Sequence, residues 1–487
     1  MSEALPLIDG FAARVSARTE SRLRADPRVV AIDSDVALSV QGTGSAPTRQ
    51  SDYLQETGAN DAHEAGWNGS GQTVALVDTG VDQVPDLAGR LVPVVDDSTG
   101  KVAPCENLSG EADCTDNYGH GTFLAGIIAG TGASSGGQYQ GVAPGARILS
   151  VKVAGRDGSA DVSNVLAAIQ WVVSFRDRYG IRILNLSLGT DSVQSTRVDP
   201  LNYAVERAWQ AGLTVVVAAS NRGPAPGTIS KPGDDPWVVT VGAVDDRGTP
   251  TVADDEVPLF SGRGPSAGDG WPKPDLVAPG AHLVSLTAPG STIDRQFPST
   301  LGNGYRLGSG TSMATAVVSG TVALMLDAHP GLLPNQVKFA LMATARPAAS
   351  ASWFDVGAGA VDAYTATVAP PAGSANANTP DSNGLGALDL SRGSVRVATT
   401  GPLPVVVSGL LTAQLVLWDP VGFLTGDWSA STWYVSVWNL SPWQAVQWWG
   451  SNWEGSNWEG SQWYGTFDGS SWYGSNWEGS AWYGAWG

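Results

Sequence analysis

The sequence predicts an α/β protein in which a mainly parallel central sheet is layered between helices. Three observations carry that expectation. From about residue 60 to 365, apolar runs of strand length alternate with longer amphipathic stretches, the signature of repeated strand–helix crossovers. Polar residues stand at or just past the ends of two such runs, at Asp78 and Asn221, where open parallel sheets keep their ligands. The composition, with 61 glycines and only 15% charged residues, suits tight turns and buried strands rather than a disordered chain.

Taken in order, the expected strands are Thr73–Asp78, Ile148–Val153, Ile181–Leu186, Thr214–Ala219 and Trp237–Val241. Helices are expected at Ser163–Arg178, with Asp161 or Ser163 as its N-cap, and at Leu201–Ala211, Ser312–Ala328 and Pro334–Ala345. Ahead of this region, residues 1–45 read as a small α+β unit with a helix at Arg14–Leu23 and strands around Val29–Ile32 and Val36–Val40. A Gly-, Ser-, Thr- and Pro-rich stretch, Gly42–Ser51, follows as a linker. Beyond the α/β region come a second linker at 368–385, a short β-rich segment at 386–417, and a tail at 418–487.

The tail is a different material. It packs 14 of the 20 tryptophans into its 70 residues, and Trp418, Phe423, Trp428 and their successors to Trp463 recur every five residues. A step of five gives one aromatic face on neither a strand nor an α-helix. The units therefore suit either a turn-per-repeat coil or a low-complexity tail, and exposed indoles can stack on sugar rings or a cell-envelope surface.

Several function classes are disfavoured at this level. The formal charge of −19 repels phosphate backbones, so no nucleic acid partner is expected. The most apolar stretch, Leu403–Trp418, is broken by Pro404, Gly409 and Gln414, so no membrane span is expected. Met1–Asp9 lacks the cation and apolar run of a signal peptide. Cys105 and Cys114 permit a small disulfide-closed loop or two free thiols, and argue against a metal site.

Three Gly-flanked motifs carry the chemistry: Val77-Asp78-Thr79-Gly80, Gly119-His120-Gly121-Thr122 and Gly310-Thr311-Ser312-Met313-Ala314. A carboxylate, an imidazole and a hydroxyl are what nucleophilic acyl transfer requires, with Ser attacking, His taking its proton and Asp orienting the imidazole. The competing histidines, His63, His282 and His329, sit in no such motif and read as ordinary residues.

With Gly141-Val142-Ala143-Pro144, Asn185-Leu186-Ser187-Leu188-Gly189, Phe260-Ser261-Gly262-Arg263-Gly264-Pro265 and Lys273-Pro274-Asp275-Leu276-Val277-Ala278-Pro279-Gly280 in the same order, residues 59–367 resemble a subtilisin-like serine protease catalytic domain. The resemblance implies a subtilisin-like fold and a triad of Asp78, His120 and Ser312, with Asn221 as side-chain donor to the oxyanion. It implies that extended polypeptide substrate pairs with Gly158, Ser159, Ala160, Ser187, Leu188 and Gly189, and that no cofactor takes part in the chemistry. Asp86 matches a position that binds a structural calcium in some members. Lys231, near the side-chain pocket, is expected to face solvent. Phe123 departs from the family's second His, Ala316-Val317 from its Pro-His, and Ser220 from its usual Gly.

Residues 1–45 resemble part of the family's inhibitory propeptide, notably at Gly10-Phe11-Ala12-Ala13 and Leu23–Val30. The expectation is an exported endopeptidase made as a zymogen whose natural chain begins upstream of Met1, with a linker and processing region at 46–58, self-cleaved between about Val40 and Asp52 and inhibited by its own propeptide. The rival expectation is a non-catalytic binding protein whose Trp-rich tail holds a cell-surface or glycan ligand.

Overall fold

The computed structural model describes residues 50–95, 100–299, 301–348 and 352–393, with the strands Ser2–Leu5, Gly10–Ala13, Asn457–Trp458, Trp463–Tyr464 and Trp482–Tyr483. The chain divides into two units, Met1–Thr48 and Arg49–Gly487. In the first, Ser2–Leu5 pairs antiparallel with Gly10–Ala13. The helix and two strands expected between Arg14 and Val40 lie outside the described residues, as does nearly all of the tail.

The second unit is built on seven strands: β1 (Thr73–Asp78), β2 (Glu106–Asn107), β3 (Arg147–Lys152), β4 (Ile181–Leu186), β5 (Thr214–Ala218), β6 (Val239–Val244) and β7 (Leu276–Pro279). Their order across the sheet is β7-β6-β5-β4-β1-β3-β2, and every neighbouring pair is parallel. β1, β5, β6 and β7 are buried along their whole length, which is why they read as unbroken apolar runs instead of alternating ones. The chain starts in mid-sheet at β1, fills β2 and β3 on one side, then crosses to β4 and builds outward. Neighbouring connections thus diverge at β1, and a crevice opens at its carboxyl end. Asp78 is the last residue of β1.

Five helices matter for the site: α1 (His120–Ala129), α2 (Val162–Tyr179), α3 (Pro200–Gln210), α4 (Thr311–Ala328) and α5 (Pro334–Thr344). Asp161 caps α2 by accepting from the Ser163 N–H, and Asp199 caps α3 in the same way. The α4 helix is long and apolar enough to cross a membrane, but 89% of that stretch is buried inside the protein, so it is a core helix. All ten residues of α1 are buried, which removes the amphipathic period by which a helix is read from sequence. The β6 strand begins two residues later than expected because the Asp235 carboxylate accepts the Trp237 N–H at 2.8 Å, a side-chain turn that holds Trp237 out of the ladder. Two further strands, β8 (Leu283–Leu286) and β9 (Tyr305–Ser309), form an antiparallel hairpin, and Asn457–Trp458 pairs antiparallel with β9.

Cys105 and Cys114 are joined in a disulfide. The loop they close is pinned from below by Lys152, whose buried ammonium reaches Glu111 Oε2 at 2.6 Å and the Thr115 carbonyl at 2.6 Å. This loop delivers Asp116 to the start of α1.

Near the domain's first residues, two buried carboxylates, Glu56 and Asp255, accept no hydrogen bond from the described residues. Burial first, then Asp255 and Asp246, pushes the Glu56 carboxyl up to about 9. Burial, with Asp246 beside it, pushes Asp255 up to about 7. A carboxyl whose pKa is raised on folding binds its proton more tightly in the folded state. Its contribution to stability is therefore full below the unfolded value and is lost as pH rises through the folded one. Glu56→Gln is expected to gain Tm relative to the wild type between pH 5 and pH 9.5. The expected gain is a few degrees, at about 2–4 °C per kcal/mol in a large domain. A difference independent of pH, measured by calorimetry, refutes the assignment.

Candidate active site

At the end of β1 the chain must leave the sheet, and Asp78 is left at its mouth with no exposed surface. Its Oδ1 accepts the Thr79 N–H at 2.8 Å, and its two oxygens lie 2.8 and 3.0 Å from His120 Nδ1. His120 opens α1 and is 1% exposed. The approach of α1 to the Asp78 loop depends on Gly121. A Cβ there would stand 2.1 Å from the Gly80 carbonyl oxygen and 3.2 Å from Asp78 Oδ1. The glycine of this motif thus clears the backbone for the neighbouring loop.

Asp116 was not singled out from the sequence, although it stands four residues before His120. Its carboxylate accepts from Thr79 Oγ1 (2.7 Å), the Gly119 N–H (2.7 Å), the Thr122 N–H (2.8 Å) and Thr122 Oγ1 (2.7 Å). Thr79 Oγ1 in turn accepts the Gly121 N–H at 2.9 Å. One buried carboxylate thereby ties the loop after Asp78 to the first turn of α1. Burial raises its pKa, against four donors that favour the charged form.

Ser312 lies in the first turn of α4, with Oγ 3.4 Å from the Ser187 carbonyl. Ser187 Oγ donates back to the Ser312 carbonyl at 3.2 Å, so the segment after β4 and the start of α4 are locked together. Asn221 follows β5, and its Oδ1 accepts the Thr311 N–H at 2.8 Å and the Thr311 hydroxyl at 3.0 Å. This orients the amide beside the residue that precedes Ser312. Ser220 adopts φ +129, a region L-residues rarely visit. It is held there by its hydroxyl, which donates to the Thr228 carbonyl at 2.6 Å and accepts the Arg222 N–H at 3.0 Å.

Two segments are expected from the sequence to hold substrate, Gly158–Ala160 and Ser187–Gly189. Gly158 has φ +76, and a Cβ there would stand 2.7 Å from the Tyr118 ring, so glycine is required on both counts. Ser159 turns inward, its hydroxyl donating to Asp157 at 2.6 Å, while Ala160 is half-buried. Leu188 is half-buried, and Ser187–Thr190 is clamped to 230–231 by reciprocal backbone bonds between Thr190 and Lys231.

Residues 69–381 match the model of the subtilase family, Peptidase S8. The chain belongs to the subtilase family. It is 43% identical over 276 residues to the serine protease AprX of Bacillus subtilis, covering 55% of this chain and 60% of that relative's length. It is also 32% identical over 365 residues to a thermostable alkaline protease of Halalkalibacterium halodurans, covering 75% of this chain and 84% of the relative. Among solved structures, Sphericase is similar over 60% of this chain and 92% of its own, at 28% identity and a TM-score of 0.49. The subtilisin-like serine protease domain expected from the motifs is therefore present in this subtilase.

One expectation for this subtilase needs correction. Lys231 does not face solvent: it is fully buried, with its ammonium 2.6 Å from Asp234 Oδ2 and 2.9 Å from Asn202 Oδ1. Burial works against its charge, but Asp234, with Asp199 behind it, raises its pKa above the ordinary value. The Asp86 carboxylate accepts from the hydroxyls of Ser134, at 2.5 Å, and Tyr305, and among the described residues no group of three or more His, Cys, Asp or Glu side chains could hold a metal. The other histidines are structural: the His63 and His329 rings bond to the Val142 and Thr367 carbonyls.

Proposed function

We propose that this chain is a secreted serine endopeptidase, made as a self-processing zymogen, that cleaves extended polypeptides through Asp78, His120 and Ser312. The observation that carries the reading is the buried Asp78 carboxylate within 3.0 Å of His120 Nδ1 through both oxygens. A carboxylate there fixes the tautomer with the proton on Nδ1 and leaves Nε2 as the base. Nε2 takes the Ser312 proton as Oγ attacks the scissile carbonyl, and returns it to the leaving amine. Water then hydrolyses the acyl-enzyme by the same route. The developing oxyanion is received by the Asn221 amide and the Ser312 N–H, at the favourable end of the α4 dipole. No step calls on a cofactor.

Backbone pairing along Gly158–Ala160 and Ser187–Gly189 suits extended polypeptide with little sequence preference. Residues 1–45 act as the inhibitory propeptide, with the cut between Val40 and Asp52, and the Trp-rich tail serves as a surface-binding module or a removable segment.

The test is intact-mass spectrometry after exposure to a fluorophosphonate, run beside Ser312→Ala. One adduct on the wild type and none on the variant is expected, with the N-terminal segment lost from the wild type alone. Absence of an adduct on folded, propeptide-free protein overturns the reading.

A further inference from the structure

The match to the family model ends at residue 381, yet the next twelve residues are bound to the catalytic domain along their whole length. The Ser382 N–H donates to Glu206 Oε2 at 2.7 Å, and the N–H groups of Asn383 and Gly386 donate to the Arg197 and Val198 carbonyls at 2.9 and 2.6 Å. The Gln194 side chain brackets Ala387, accepting its N–H at 3.0 Å and donating to its carbonyl at 3.2 Å. Leu388 is fully buried in the main hydrophobic core. Ser391 Oγ donates to the Asp199 carboxylate at 2.9 Å.

The strap ends in two contacts of a different kind. Arg392, with no exposed surface, donates from Nε to Asp161 Oδ2 at 2.8 Å and from Nη2 to Oδ1 at 3.3 Å. The Thr190 hydroxyl donates to the Ser391 carbonyl at 2.6 Å. Asp161 directly follows Ala160, and Thr190 directly follows Gly189. Two consecutive strap residues therefore hold the ends of both segments assigned to the substrate. A buried bidentate charge pair has one geometry, and losing its cation leaves a carboxylate unpaired in the interior, so the two segments cannot drift apart without a large penalty.

We infer that the strap Ser382–Gly393 is a specificity element of this protease, with Arg392 a positioning residue that sets the separation of the two cleft walls for extended polypeptide substrates. The inference rests on the protease reading above. It predicts selectivity by length. A substrate that spans both walls feels their spacing, whereas a short ester that reacts at Ser312 does not.

The experiment compares wild type, Arg392→Met, Arg392→Lys and Thr190→Val on a peptide substrate with several residues before the scissile bond and on a short ester. All rates are normalised to the fraction of Ser312 titrated by fluorophosphonate. Arg392→Met keeps an apolar stem and removes the fork. It is expected to raise KM for the long peptide about tenfold, the equivalent of roughly 1.4 kcal/mol, with kcat and ester turnover unchanged. Arg392→Lys should recover part of that loss, and Thr190→Val should move KM in the same direction by a smaller factor. Equal losses on peptide and ester, or a loss that disappears on normalisation, would mean that the strap only supports folding and would overturn the inference. Unchanged KM in both Arg392→Met and Thr190→Val overturns it as well, and Thr190→Val keeps the test decisive should Arg392→Met not fold. Failure of the wild type to take up the fluorophosphonate would instead remove the protease reading itself.

Discussion

Replacing Asp78 by Asn is expected to lower kcat about 10⁴-fold while KM stays within a few-fold of wild type. The variant is nearly isosteric, so the fold survives, but the interaction with His120 changes sign. In the wild type, Nδ1 faces two carboxylate oxygens at 2.8 and 3.0 Å, and only a proton on Nδ1 satisfies them. An Asn amide can turn its NH₂ toward Nδ1, which then becomes the acceptor and sends the proton to Nε2, where the lone pair is needed. In the proposed mechanism the carboxylate also stabilises the imidazolium formed during attack, in a setting with no solvent to replace it, since Asp78 is completely buried and His120 is 1% exposed. Active-site titration followed by kcat on a peptide substrate tests this. Near-wild-type kcat, or a loss confined to KM, would show that this pair is not part of the catalytic machinery.

Asn221→Ala is expected to cost about 10²–10³ in kcat, or roughly 3 kcal/mol, the magnitude found for the corresponding donor in subtilisin, another member of the family. The effect should be confined to kcat because the donor meets an oxyanion that exists only in the transition state. The side chain of this proposed donor is held in place. With Asn221 Oδ1 accepting from both the N–H and the hydroxyl of Thr311, the side chain cannot flip without breaking two hydrogen bonds. Ser220 holds the preceding backbone at φ +129 through its bond to the Thr228 carbonyl. A Ser where the family usually has Gly is therefore accommodated by a side-chain hydrogen bond that glycine cannot make. If Asn221→Ala matched the wild type in kcat, the oxyanion donor would have to lie elsewhere in the cleft.

Much of this is legible in the sequence, for identifiable reasons. The Thr73–Asp78 strand is buried on both faces, so its apolar run is continuous and its polar terminus stands out. The α2 helix was bounded to within one residue because its cap is written locally, Asp161 accepting the Ser163 N–H. By contrast, α1 is not legible as a helix. Its sequence, His120–Ala129, contains Gly121 and Gly126 and has no polar face, because every residue in it is buried. Asp116 was missed because a lone Asp ahead of a His motif looks like any loop carboxylate until four donors converge on it.

The sequence by itself determined the residue types that can perform the chemistry, their order along the chain, and the strands and helices on which they ride, except the helix that His120 opens, because these follow from local pattern and from motifs a few residues long. Only the tertiary structure decided what lies next to what. It placed Lys231 in a buried ion pair, put the hydroxyls of Ser134 and Tyr305 on Asp86, and carried Arg392 to Asp161 from a segment 231 residues further along the chain. The physical reason is that a buried charge is tolerated only where partners from distant segments meet it, and nothing in a residue's own neighbourhood names those partners.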